Sequence, residues 1–198
     1  IHLNLAAGTY EVVAIGHNGS GTTISSPEKI TFTSNKVTDT FHYYGILDVT
    51  DGEKTTESIT LKRAVGMFRL VIKDEIPEQA KKIKFYYTGG SSTLNAKTGY
   101  GCVNSKQTEI LDLVKKQQVY EVYTFPHEGD KKLTVSIDIL DKNDFTIATT
   151  TFSDVPILKN YITKYSGKLF TGLSGGTGDI DIDFVFDPEW AGENEYEF

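Results

Sequence analysis

Alternation of apolar and polar residues is the main pattern along the chain. In Leu133–Ile139 every second residue is apolar and the residues between them are polar. Because a strand points successive side chains to opposite faces, this run predicts a strand with one buried face. We expect its apolar members to lie in the core of a C-terminal domain: Leu133, Val135, Ile137 and Ile139. Asp141–Asp144 predicts a turn and Phe145–Phe152 the returning strand of a hairpin.

Similar alternation, or a short apolar run, predicts nine further strands. They are Thr9–Ile15, Glu28–Phe32, Phe41–Leu47, Ser58–Leu61, Ala64–Lys73, Lys82–Tyr87, Val119–Phe125, Tyr161–Tyr165 and Ile180–Phe186. Helical patterns are sparse: an i, i+3, i+4 stripe predicts one short helix in Thr108–Lys116, and Pro77–Lys81 predicts a single turn. About ten strands separated by turns every 8 to 15 residues predict an all-β fold of antiparallel β-sandwiches.

A polar turn at Asp51–Glu57 predicts a division into two domains. We assign residues 1–61 to an N-terminal β-sandwich and residues 62–198 to a C-terminal β-sandwich with an acidic tail. The first 61 residues contain only four or five predicted strands, and the chain starts at Ile1 rather than Met. We therefore expect the N-terminal sandwich to be partial, with its first strands in a segment upstream of this sequence.

Composition supports the β assignment. The 198 residues are 38% hydrophobic, enough for a core, and include 24 Thr, 11 Tyr and 11 Phe, which favour strands. No apolar run reaches the roughly 18 to 20 residues of a membrane-spanning helix, so a transmembrane helix is excluded.

Charge is unevenly distributed along the chain. The net charge is −7, and residues 177–198 carry eight acidic residues and no basic one. The remaining residues carry 19 acidic and 20 basic groups, so they are nearly neutral. Only two residues are Arg, Arg63 and Arg69, which argues against nucleic acid as a partner.

Candidate chemistry is sparse, and we expect no catalytic residues, no metal, no cofactor and no enzymatic activity. Cys102 is the single cysteine, which excludes an internal disulfide and a multi-cysteine zinc site. The four histidines lack a metal-ligand spacing, and no G-x-S-x-G motif occurs. Asn18-Gly19-Ser20 fits a glycosylation pattern, but Asn-Gly favours a turn there.

The acidic end contains a second alternating run. Asp179, Asp181 and Asp183 share one face of the predicted strand, where a solvated acidic surface is favoured over a calcium site, which needs oxygens converging from loops. The opposite face carries the candidates for strand pairing or assembly, which are Ile180, Ile182, Phe184 and Phe186. Four large apolar side chains require cover, so we expect the run to pair with a sheet of its own chain or, alternatively, of a neighbouring subunit.

Four stretches match the strand entries and turns of a known family in order and spacing. They are Leu5–Ala14, with its Gly-Thr-Tyr strand entry, Ile59–Leu70, Asp74–Ile83 and Val155–Phe170. Together they resemble the fimbrillin-like subunits of Bacteroidales, the pilins and accessory subunits of surface fimbriae, a family of cell adhesion proteins. The resemblance covers residues 5 to about 190.

This resemblance implies two transthyretin-like β-sandwich domains and export as a lipoprotein to the outer membrane and cell surface. It also implies a place in a fimbrium, as a pilin-like structural or accessory subunit, with other fimbrial subunits as partners through strand addition and a host or bacterial surface receptor as a further partner. The lipidated cysteine of the family is expected upstream, because Cys102 is too internal to be that residue.

A second interpretation uses the same scaffold as a glycan-binding surface lipoprotein. Exposed aromatic rings can stack on sugars, and the candidates are Tyr43, Tyr44, Tyr86 and Tyr87. The alternative for these residues is a place in the core or at its edge. An open groove in the first domain would favour assembly, whereas a platform of exposed rings would favour glycan binding.

Overall fold

The described part of the chain is almost entirely β-structure. The computed structural model describes residues 2–129, 131–170 and 190–197, and these contain strands and one short 3-10 turn at Thr33–Asn35 but no α-helix. The strands are β1 (Gly8–His17), β2 (Thr22–Ser26), β3 (Lys29–Phe32), β4 (Thr40–Val49), β5 (Lys62–Arg63), β6 (Gly66–Ile72), β7 (Lys82–Thr88), β8 (Thr93–Asn95), β9 (Tyr100–Gly101), β10 (Gln107–Asp112), β11 (Val119–Thr124), β12 (Lys132–Leu140), β13 (Thr146–Pro156), β14 (Tyr161–Gly167) and β15 (Gly192–Glu197). The predicted all-β class is confirmed.

Two four-stranded sheets enclose the larger core. The outer sheet has the order β10-β7-β12-β13 and the central sheet has the order β11-β6-β14-β15. The alternating apolar side chains of β6, β7 and β12 meet between them in one cluster. The four predicted core residues of β12 are each at most 1% exposed, which confirms that face of the strand: Leu133, Val135, Ile137 and Ile139.

A second core lies around the opposite face of the central sheet. There Met67 and Ile162 pack with Ile30 and Phe32 of β3 and with Trp190. Strand β3 belongs to a small sheet of order β2-β3-β8-β9, so strands from residues 22–32 and 93–101 share one sheet. The predicted domain boundary after residue 61 stays a prediction. The second core shows which residues pack together, but it does not show which part of the chain folds alone.

A third sheet, the hairpin sheet, has the order β1-β4-β5. Strands β1 and β4 are antiparallel partners over ten residue pairs, from Gly8 opposite Val49 to His17 opposite Thr40. Strand β5 pairs with β4 only through Arg63 opposite Phe41 and its neighbouring pair. The hairpin sheet is therefore long and narrow, and its far end receives no strand from β5.

Several predictions from the sequence are wrong. Thr108–Lys116 is not a helix, because Gln107–Asp112 forms the edge strand β10 opposite β7. Ser58–Leu61 lies outside the strands, and pairing with β4 begins at Lys62. The central sheet is mixed rather than antiparallel, since β14 runs parallel to both β6 and β15.

Candidate functional site

The hairpin sheet presents an apolar face that neither core covers. Residues directly opposite one another in an antiparallel pair share a face, so the pairs Tyr10–Leu47 and Ala14–Tyr43 lie on one side. These four side chains are half-buried, and they belong to neither of the two core clusters. We call this side of the hairpin sheet the outer face.

The opposite side, the inner face, attaches the hairpin sheet to the body. Val13, Ile15 and Tyr44 pack against the second core. Electrostatics add to this attachment, because the Lys97 ammonium lies 2.6 Å from Glu11 of β1. The same ammonium lies 2.5 Å from a carboxylate of the loop before β3.

Hydrogen bonding to Lys97 has a clear effect on titration at this junction. It is the largest cause lowering the pKa of Glu11, and the Tyr44 hydroxyl, which donates to Glu11 at 2.7 Å, lowers it further. Lys97 also lowers the pKa of Glu28, and the two carboxylates raise the pKa of Lys97 in return. The junction between the hairpin sheet and the small sheet is therefore charged at neutral pH.

Both long edges of the hairpin sheet lack a strand partner among the described residues. Strand β1 pairs only with β4, so its other edge is open along Gly8–His17. Strand β4 is covered by β5 at Phe41 and His42 alone, which leaves the edge from Tyr43 to Val49 open. Open edges present backbone N–H and C=O groups that can pair with another strand.

Tyr43 lies across the outer face instead of standing away from it. A Cβ built on Gly45 would collide with the Tyr43 hydroxyl and ring, so the ring occupies the space above that glycine. Any larger residue at position 45 would displace the ring. The glycine therefore allows an aromatic ring to rest against the sheet surface.

The remaining sugar-stacking candidates are not brought together with Tyr43. Tyr44 is on the inner face, and Tyr86 lies on the outer sheet, opposite Thr108 and Ser136. Tyr87 is 1% exposed and donates its hydroxyl to the Tyr123 carbonyl at 3.1 Å, so it has no open ring face. The structure gives no common platform for the four rings.

The predicted strand-pairing residues fall elsewhere in the chain. Ile180, Ile182, Phe184 and Phe186 lie outside the described residues. So do the three aspartates weighed as a calcium site, Asp179, Asp181 and Asp183.

Arg63 is a residue at the base of the hairpin sheet that the sequence analysis missed. Its Nε and Nη2 atoms donate to the two carboxylate oxygens of Asp39 at 2.8 and 3.0 Å, and Nη1 donates to Asn160 at 3.1 Å. The guanidinium also stacks on Phe41 and Trp190. Its only signal in the sequence was rarity, as one of two arginines.

Other chemistry is limited in the part of the chain that the structure describes. There, no three His, Cys, Asp or Glu side chains are grouped as a metal site would need. Partial burial raises the pKa of Cys102, which keeps the thiol in its less reactive protonated form. Among the described residues, no helix is long and apolar enough to cross a membrane.

Comparison with known proteins places the chain in a family. A model described as a family of unknown function, DUF6562, matches residues 22–198. The chain belongs to this family. No curated protein matches the sequence.

Two solved structures are similar to this member of the family. One is a putative adhesin from Bacteroides ovatus, with 13% identity, a TM-score of 0.51, and coverage of 75% of this chain and 66% of that one. The other is a putative cell adhesion protein from the same organism, with 16% identity, a TM-score of 0.44, and coverage of 79% and 61%. The chain thus spans less than two-thirds of the length of each. At such low identity the first likeness shows a shared fold.

Proposed function

We propose that this protein is a non-enzymatic, adhesin-like structural or accessory subunit of a bacterial cell-surface fimbria that assembles by β-strand addition. The observation that carries the proposal is the open edge of β1, which runs for ten residues without a second partner in the described chain. The proposal includes the transthyretin-like character of the sandwiches, export to the cell surface and anchoring by a lipid outside this chain. The fold shared with the first of the two Bacteroides ovatus structures supports it.

Strand addition uses two properties of the hairpin sheet. The open edge offers unpaired main-chain groups, which give a docking strand its hydrogen bonds. The outer face offers half-buried apolar side chains beside that edge, including Tyr10 and Val12 of β1, which an incoming strand can contact with every second residue. A donor strand therefore needs alternating apolar residues and no charge on its inward face.

One stretch of this chain satisfies that description. The run Asp179–Asp187 alternates apolar with acidic residues, apart from Val185 on the acidic face, and ends just before Pro188, which cannot donate to a ladder. Its four apolar residues remain the candidates for pairing, either with an open edge of the same chain or with a neighbouring subunit. The partners in this proposal are other fimbrial subunits and a receptor on a host or bacterial surface.

Proline substitution in β1 tests strand addition. Successive N–H groups of a strand point to opposite edges, so one of Val12→Pro and Val13→Pro removes an N–H that bonds to β4 and the other removes an N–H at the open edge. We expect the variant that lacks an N–H at the open edge to keep its thermal stability and to lose association in sedimentation velocity. A wild-type chain that stays monomeric, both alone and with a synthetic peptide of residues 178–188, contradicts the proposal.

A specific observation also favours a second candidate function, a glycan-binding surface lipoprotein. The Tyr43 ring occupies the space above Gly45 on the outer face, and an aromatic ring held at a sheet surface can stack on a sugar. We expect Tyr43→Ala to abolish glycan binding on an array, with Tyr86→Ala as the control. Equal binding by the two variants, or none by the wild type, contradicts this candidate.

A further inference from the structure

Three basic side chains converge at the base of the hairpin sheet. His42 of β4 and Lys62 of β5 are directly opposite one another and therefore share a face. Lys159, in the connection between β13 and β14, approaches the same place. A Cβ built on Gly99 would lie 2.5 Å from His42 Nε2 and 3.1 Å from Lys159 Nζ, so the imidazole and the ammonium both lie against this glycine and close to one another.

The positive charge in this cluster is not balanced by an ion pair in the described residues. The Lys159 ammonium is half-buried and lies 4.0 Å above the centre of the Tyr100 ring, and no described carboxylate is within salt-bridge distance of it. Glu128 is exposed and acts on Lys159 only at longer range. By contrast, the Lys97 ammonium, on the same side of the hairpin sheet, contacts two carboxylates.

Burial and the closeness of these basic groups lower the pKa values of two of them. Burial, followed by the charges of Lys159 and Lys62, lowers the pKa of His42. Burial and the charge of Lys62 likewise lower the pKa of Lys159. His42 Nδ1 is buried and has no hydrogen-bond partner among the described residues. An anion bound to His42 Nε2 and Lys159 would offset the unfavourable charge interactions of these two groups.

We propose that the cluster of His42, Lys62 and Lys159 is a binding site for a carboxylate, of the kind that acidic sugars such as glucuronate carry. A carboxylate has two oxygens, and these can accept from Lys159 Nζ and from His42 Nε2, which lie close together. Gly99 has a φ of +72° that suits glycine, and because it lacks a Cβ both side chains can approach its backbone. The site is separate from the open edge of β1, so it does not depend on strand addition.

Carboxylate binding in this site is coupled to the proton on His42. A bound negative charge favours the imidazolium, so the ligand raises the pKa of His42 and binding takes up a proton. The groups facing this ring are Lys62 on β5, Lys159, and the backbones of Ala96 and Gly99, while the cross-strand neighbour on β1 is the apolar Ile15. None of these groups is acidic, so affinity for a carboxylate should rise as pH falls.

Nuclear magnetic resonance of the His42 imidazole in the full chain tests the site. Glucuronate is titrated into the protein at about pH 5.5 and about pH 7.5, with glucose as the uncharged control. We expect a saturable shift with glucuronate alone and an affinity at least about threefold higher at the lower pH. Lys159→Met should weaken binding by roughly tenfold or more, whereas Lys142→Met, at an exposed lysine outside the cluster, should leave it unchanged.

Several results would overturn the proposal. They are the absence of a saturable shift up to about 50 mM glucuronate, an equal response to glucose, or unchanged affinity in a folded Lys159→Met variant. The double variant Asp187→Asn with Glu189→Gln tests whether the carboxylate that binds the cluster comes from this chain itself. If that variant lowers the pKa of His42 without ligand, the cluster is occupied by the protein's own acidic segment, and the assignment to acidic sugars is wrong. Self-association is measured separately, so failure here does not bear on strand addition.

Discussion

The guanidinium of Arg63 lies 3.9 Å from the centre of the Trp190 indole ring. Arg63 is the last residue of β5, the short third strand of the hairpin sheet, and Trp190 lies two residues before the last strand, β15. Trp190 is also part of the second core, and the Ala191 N–H donates to the Asn160 carbonyl at 2.9 Å. This contact therefore joins the hairpin sheet to the C-terminal end of the described chain.

Replacing Arg63 by lysine should destabilise the protein. Lysine keeps the positive charge but loses the planar fork that binds Asp39 through two oxygens and stacks on Trp190. We expect Arg63→Lys to lower the free energy of unfolding by about 1–3 kcal/mol, measured by urea denaturation. Lys142→Ala, at an exposed position, should change it by less than about 0.5 kcal/mol. Equal stability of Arg63→Lys and wild type would show that charge alone accounts for the contact.

Truncating Ile137 should test the packing of the larger core. This residue is 1% exposed and lies between Phe85 on β7 and Thr150 on β13. Ile137→Ala loses buried surface and leaves a cavity, so we expect a loss of about 2–5 kcal/mol in the free energy of unfolding. The control is Thr134→Ala, at an exposed position of the same strand. A thermal melt of Ile137→Ala that matches the wild type would contradict burial of this face.

Alternating apolar patterns were sufficient to predict the strands of the larger core. In β7 the predicted inward residues Ile83, Phe85 and Tyr87 are all buried, because apolar side chains have no favourable place except between the two sheets. The turn after β12 was also predictable. Asp141 Oδ1 accepts from the backbone N–H groups of Asn143 and Phe145, which is the local bonding that favours Asp in turns.

Strand β10 was not predictable from apolar positions, because only Leu111 of its three inward residues is apolar. Gln107 is buried and accepts from the Thr124 hydroxyl at 2.6 Å, while Glu109 is buried and binds the Lys36 ammonium at 2.7 Å. The apolar residues that suggested a helix include Ile110 and Val114, which are 53% and 51% exposed. A sequence pattern cannot show that a buried polar group will find its partner on a distant strand.

The same limit applies to the candidate sites. The open edge of β1 depends on which strands pair, and the pairing of β5 with β4 is only two residues long. The basic cluster depends on Lys159 reaching His42 across 117 positions of sequence. Neither relationship has a periodic signal, because each is produced by the meeting of separate loops and strand ends.

Acid should weaken the attachment of the hairpin sheet to the small sheet. Hydrogen bonds from Lys97 hold the pKa values of Glu11 and Glu28 below the usual 4.5. Carboxylates with a lowered pKa in the folded state contribute stability above about pH 4.5, and this contribution is lost as pH falls through the lowered values. We therefore expect Lys97→Met to be less stable than wild type at neutral pH, with a difference that shrinks below pH 4.5.

Urea denaturation at a series of pH values measures this difference. Lys142→Met controls for the loss of one positive charge, since Lys142 is exposed. Its difference from wild type should be small throughout. A difference for Lys97→Met that stays constant from neutral pH to acid would contradict the proposed role of the two carboxylates.

The pairing of the acidic run at 179–187 can be tested without removing the last strand. Deletion of everything from residue 179 would be ambiguous, because it also removes Trp190 from the second core and β15, which pairs with β14. The double variant Ile182→Ser with Phe184→Ser changes only the apolar face of the run. Asp181→Ser with Asp183→Ser is the matched control on the acidic face.

We expect the apolar double variant to lose monomer stability, because the run should pair with a sheet of its own chain. Each serine forfeits the burial of one large apolar side chain, worth about 1.5–3 kcal/mol in the free energy of unfolding. The control variant should unfold near the wild-type urea concentration, since its side chains are expected to face solvent. Trp190 is the single tryptophan, so its fluorescence reports unfolding beside this run. If the apolar variant instead unfolds like the wild type while its association in sedimentation velocity is lost, the run is a strand donated to a neighbouring subunit.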